Sequence, residues 1–114
     1  MTATETLRNT SKETLRDVLA RMEKEGTGLG HFNVADQTLL KAVVAAAAET
    51  KLPVMIGASE GEREFFGARQ LAALVKLSDR NRTCRSLLNA DHTHSLAKAV
   101  EAAKAGFDSV VIDF

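Results

Sequence analysis

The chain has 114 residues, enough for one domain with a modest core, and its 15 basic and 15 acidic residues give a formal net charge of zero. That balance, with five Phe and no Trp or Tyr, argues against a nucleic-acid module or an anionic-membrane binder. One cysteine, Cys84, excludes an intrachain disulfide; with no secretory signal in Met1 to Glu5 and no run approaching the ~18 apolar residues of a membrane span, the expectation is a soluble, cytoplasmic protein.

Residues 1–9 are polar and expected to fray. Thr10-Ser11-Lys12-Glu13 has the form of a capping box, and Leu15, Val18, Leu19 and Met22 follow at helical spacing until Gly26 and Gly28 stop the helix. A first strand is expected near 29–34. Asp36 then caps a helix whose stripe is Leu39, Leu40, Val43, Val44 and Ala47. Pro53 ends that helix, and a second strand is expected near 53–58, continuously apolar at Val54-Met55-Ile56 as in a sheet covered on both faces. Ser59-Glu60-Gly61-Glu62 is a second capping box, placed at a strand exit. Phe65 and Phe66 are read as packing residues, Gly67 as a bend, and Leu71, Leu74, Val75 and Leu77 as the next helix. The span from Ser78 to Arg85 is a polar loop with solvated charges, and Cys84 in it is an ordinary small side chain.

A third strand is expected near 86–90, and its exit, Asp91-His92-Thr93-His94, gathers an acid and two histidines where a strand hands over to a helix. In α/β folds ligands bind at that handover. Ser95 caps a helix with Leu96, Ala99, Val100 and Ala103 inward, Gly106 ends it, and a fourth strand is expected near 109–113. The alternation of strand and helix implies a parallel sheet with right-handed crossovers. Four such units make half of a (β/α)₈ barrel, whose full form takes about 250 residues; a small doubly wound sheet is the alternative. Standing alone, such a half would have two open edges and an uncovered inner face of Val, Ile and Leu.

Four landmarks then occur in order, one per strand: Phe32-Asn33-Val34; Pro53-Val54-Met55-Ile56 with Ser59-Glu60-Gly61; Ala90-Asp91-His92; and Ala105 through Asp113. In this order and spacing the chain, over about 10–114, resembles the N-terminal half of the class II (zinc-dependent) fructose-bisphosphate and tagatose-bisphosphate aldolases. The resemblance implies an α/β fold, the N-terminal half of a (β/α)₈ TIM barrel with four parallel strands and an extra N-terminal helix. It implies reversible aldol cleavage of a ketose 1,6-bisphosphate to dihydroxyacetone phosphate and an aldehyde phosphate, with Zn²⁺ stabilising the developing negative charge. By the same resemblance Asp91 is the catalytic acid/base, His92 a zinc ligand, Asn33 and Ser59 substrate-binding residues (Ser59 near a phosphate), and Asp113 a support for the metal region.

A catalytic zinc takes three protein ligands and an open position. The family's remaining ligands and its glycine-rich phosphate loop belong to the second half of the barrel, so the expectation is a truncated form. Its partners are expected to be a phosphorylated ketose and either another copy or a complementary half-barrel, with no nucleic acid and no membrane. A non-catalytic half-barrel binding a sugar phosphate or a partner chain is the alternative function. His31 and His94 depart from the family pattern. Convergence of His31, His92 and His94 would make a substitute zinc site, whereas the blander expectation is a packing residue and a loop residue.

Overall fold

The structure, a computed structural model, describes residues 13–79 and 85–113. Residues 1–9, the Thr10 cap and Cys84 lie outside the described residues. Among those described, four parallel strands stand in the order β1-β2-β3-β4: β1 is His31–Asn33, β2 Val54–Ala58, β3 Ser86–Thr93 and β4 Ser109–Ile112. The helices are α1 (Leu15–Glu25), α2 (Gln37–Thr50), α3 (Glu60–Phe66), α4 (Ala68–Asp79) and α5 (Leu96–Ala105).

Local chemistry sets the element ends. At α1 the capping box is Thr14 with Asp17: the Asp17 N–H donates to Thr14 Oγ1 and the Thr14 N–H to Asp17 Oδ2 (3.2 and 3.1 Å). Glu13, expected inside the helix, precedes it and pairs with Arg21 at 2.9 Å. Ser59 and Glu62 form the expected box at α3. Gly67 then breaks the helix with φ +93°, a conformation that costs glycine little, and α4 starts at the next residue.

Strand alternation sorts the sheet into two faces. Ile56, Ala58, Leu88 and Ala90 face α2, α4 and α5 and form the main core with Leu40, Ala47, Leu71 and Val75. On the other, axial face, Met55 and Leu87 are covered at the strand starts by α1 through Val18, Met22 and Leu15. Above them the row becomes Asn33, Gly57, Asn89 and Ser109, paired in register. The inner face is therefore a plugged apolar base under a polar layer, not a bare surface of Val, Ile and Leu. Asn89 is buried; it accepts from Ser109 Oγ at 2.7 Å and lies 3.1 Å, Nδ2 to Nε2, from His31.

Several packing expectations are corrected. Phe65 is 81% exposed, because of its two phenylalanines the short α3 turns only Phe66 toward the core. Helix α5 buries Ala99 and Ala102, with Leu96 and Val100 outward, since alanines let it lie close against the sheet. Leu19, Leu39 and Leu77 are also exposed. Arg85 is not a solvated charge: it pairs with Asp108 at 2.9 Å and donates to the Glu13 carbonyl at 2.6 Å, tying α1's approach to the starts of β3 and β4.

Candidate active site

The carboxyl ends of the strands converge on one rim. β3 runs three residues beyond its expected end, because past an irregularity between Ala90 and Thr93 it pairs again with β4, Thr93 opposite Ile112. His92, inside that bulge, has φ +40°, a left-handed conformation rare for a residue with a Cβ and costing about 1–3 kcal/mol. Such bulges re-aim side chains at functional rims.

The re-aimed His92 places Nδ1 3.0 Å from Asp113 Oδ2 and Nε2 3.8 Å from Asp91 Oδ2. The hydrogen bond to Asp113, with the charges of Asp91 and Asp113, raises the His92 pKa above its ordinary 6.5. The same bond, chiefly, holds the Asp113 carboxyl below its ordinary 3.8. A neutral His92 donating from Nδ1 has its Nε2 lone pair available, the arrangement by which a carboxylate orients a metal-binding imidazole.

Asn33, at the end of β1, donates from Nδ2 to Glu62 Oε1 (3.2 Å) and Asp91 Oδ2 (3.4 Å). It thereby joins β1, α3 and β3. Glu62 Oε1 also accepts the Ser59 N–H at 3.0 Å, and Ser59 Oγ accepts the Glu62 N–H at 3.3 Å. Burial pushes Glu62's pKa up, but the bonds from Ser59 and Asn33 outweigh it and leave the carboxyl below its ordinary 4.5. Ser59 accepts through Oγ, which leaves its O–H able to donate outward.

Beneath the rim lies Arg63, 4% exposed, whose Nη1 donates to the carbonyls of Ala58 (2.7 Å) and Asp91 (3.0 Å) and whose Nη2 donates to Thr93 Oγ1 (3.0 Å).

Of the residues singled out in the sequence, Asn33, Asp91, His92 and Asp113 are linked by direct contacts, and Ser59 joins them through Glu62. His94 enters as well, its Nδ1 3.3 Å from Asp113 Oδ1. His31 does not. Its ring lies over Gly57 and meets Asn89 in the polar layer below, so the three histidines do not converge. Glu62 was legible only as a cap, and Arg63 and Thr93 carried no sequence signal beyond a charge beside a capping box and a threonine between two histidines.

A zinc ion would find in His92 one imidazole donor with an orienting carboxylate behind it. Among the described residues no group of three or more His, Cys, Asp or Glu is arranged to hold a metal ion. These residues thus fit one position of a zinc shell. No helix among the described residues is long and apolar enough to cross a membrane.

Comparison with known proteins gives a consistent picture. The chain is 35% identical over 98 residues to the fructose-bisphosphate aldolase of Helicobacter pylori, covering 85% of this chain and 32% of that one. It is 33% identical over 102 residues to the fructose-bisphosphate aldolase of Geobacillus stearothermophilus, covering 87% and 36%. Among solved structures, the YdjI aldolase of Escherichia coli superposes with a TM-score of 0.75 at 22% identity, over 86% of this chain and 38% of that one. The fructose-bisphosphate aldolase of Campylobacter jejuni superposes with a TM-score of 0.71 at 21% identity, over 88% and 37%. The likeness in structure speaks to fold, and a match to little more than a third of those chains agrees with a half-barrel. The chain spans about a third of the length of the curated relatives it matches. Across residues 13–114 it matches the family described as fructose-bisphosphate aldolase class-II, and on that match the chain belongs to the class II fructose-bisphosphate aldolase family.

Proposed function

We propose that this chain supplies the N-terminal half of an aldolase active site, for zinc-dependent reversible cleavage of a ketose 1,6-bisphosphate to dihydroxyacetone phosphate and an aldehyde phosphate. The observation that carries the reading is the β3 bulge, which sets the Asp91 carboxylate beside a His92 ring oriented by Asp113. Asp91 takes and returns the proton at the hydroxyl of the bond being cleaved, and a positioned acid/base of this kind is worth about 10²–10⁴ in rate. Asn33 holds the Asp91 oxygen, and the Ser59 hydroxyl donates to a substrate oxygen. His92 is one zinc ligand, Asp113 supports it, and the other ligands come from outside the described residues. When bound, zinc supplies Lewis-acid stabilisation of the negative charge that develops on the ketose oxygens.

The setting is cytoplasmic carbohydrate metabolism. Among the described residues β1 and β4 each have one strand neighbour. A groove of about 550 Å³ beside β1, lined by Phe32, Val43, Leu52 and Val54 among others, supports pairing with a second half-barrel or another copy.

The test is a cleavage assay on fructose and tagatose bisphosphates, with and without a chelator. It is run on this chain alone and on this chain co-expressed with the C-terminal half of a relative. Chelator-sensitive cleavage in the combined form, lost in Asp91→Asn, is the expected result. Sugar-phosphate binding without cleavage in either form would overturn the enzyme reading in favour of a binding half-barrel.

A further inference from the structure

We propose that Arg63 is the positioning residue that holds the Asp91–His92 bulge in its working shape. The inference rests on the aldolase reading for its purpose, but on geometry for its content.

A guanidinium is charged at any physiological pH, and burying one is costly unless its donors are used. Arg63 is buried and forms no ion pair with a carboxylate among the described residues. Its bonds go instead to three neutral oxygens, and their placement is informative. One is the carbonyl of Ala58, at the end of β2. The second is the carbonyl of Asp91, the residue before the left-handed His92. The third is the hydroxyl of Thr93, the residue after it. The planar fork therefore spans the bulge from both sides and anchors it to the neighbouring strand, a task that a point donor does not perform.

The clamp reaches further through Thr93. The Thr93 carbonyl accepts the Asp113 N–H at 3.0 Å, and Asp113 in turn binds His92 Nδ1. A closed path thus runs from Arg63 to Thr93, to Asp113 and to the His92 ring. Without the clamp, the left-handed residue is free to relax toward an ordinary strand conformation, and the His92–Asp113 bond has no reason to persist.

The ring tautomer of His92 reads this directly. At alkaline pH, with the ring neutral, long-range ¹⁵N–¹H spectra of the full chain should show His92 protonated on Nδ1. In Arg63→Lys, which keeps the charge and loses the fork, the ratio of Nδ1–H to Nε2–H forms should fall by about tenfold, as expected for one lost charged hydrogen bond. Thr93→Val, which removes one acceptor, should shift the ratio in the same direction, and Thr93→Ser, which keeps the hydroxyl, should preserve it. Because Thr93→Val leaves Arg63 in place, it decides the matter should Arg63→Lys not fold. A wild-type ratio in a folded Arg63→Lys or in Thr93→Val overturns the clamp, even if stability falls. Zinc addition separates the two readings. If zinc leaves the wild-type His92 ring signals unmoved even in the chain combined with the C-terminal half of a relative, which supplies the other ligands, the metal-ligand role fails and the clamp stands or falls on the tautomer ratios alone.

Discussion

Gly57→Ala is a small change with a calculable consequence. A Cβ at Gly57 would land on Cε1 and Nε2 of the His31 ring, which lies across β2 to meet Asn89. The ring must swing away, and Asn89, 6% exposed, loses a hydrogen-bond partner. Leaving a buried polar group unsatisfied costs about 1–3 kcal/mol. Against this, Gly57 has no positive φ, so alanine fits its backbone and stabilises by about 0.4–1 kcal/mol through the unfolded state. The net expectation is a loss of up to about 2.6 kcal/mol. In a His31→Ala background the obstacle is gone, and the same substitution should become neutral or stabilising by about 0.4–1 kcal/mol. Urea unfolding of the four proteins, followed by far-UV circular dichroism, closes the double-mutant cycle. Equal effects of Gly57→Ala in the two backgrounds would refute the coupling and the account of the polar layer with it.

Other expectations follow from the same contacts. Leu87→Ala, at a fully buried position under α1, should cost about 2–5 kcal/mol and speed amide exchange first in Leu15–Glu25; uniform acceleration would contradict the plug. His92 has a raised pKa, so its contribution to stability is full below 6.5 and is lost as pH rises through the folded value. Asp113 has a lowered pKa, so its contribution is present above 3.8 and is lost as pH falls through the folded value. The pair is thus at full strength between 3.8 and 6.5, and an NMR titration placing His92 at or below 6.5 would remove it. In the chain combined with the C-terminal half of a relative, Asp113→Ala should weaken zinc binding read at the His92 ring by about 10–100-fold, and unchanged binding would show that the carboxylate does not orient that ligand.

Much of this fold is legible from one residue to the next. Capping serines and aspartates, the apolar stripe of α2 and the run Val54-Met55-Ile56 are local signals, and they place the helices and strands correctly. The face that each strand presents is less legible, because the polar row Asn33, Asn89, Ser109 alternates with apolar residues whose partners lie far along the chain. The site divides in the same way. Asp91 and His92 announce themselves by type and order. Arg63 and Glu62 do not, because their roles lie in carbonyl, hydroxyl and amide groups contributed by other elements. His31 misleads for a related reason: alternation puts it on the same face as Asn33, but one layer lower, where Gly57 makes room for its ring.

The α1 plug also reverses the order of assembly relative to synthesis. Strands join the sheet consecutively, β1 to β2 to β3 to β4, so each can add as it emerges. Helix α1 emerges before all of them, yet its landing site is made of Met55 and Leu87. It must carry Val18 and Met22 uncovered until the third strand arrives. The first of the described elements to be made is among the last to settle, and it then closes the base, leaving the strands' carboxyl rim as the open end of the half-barrel.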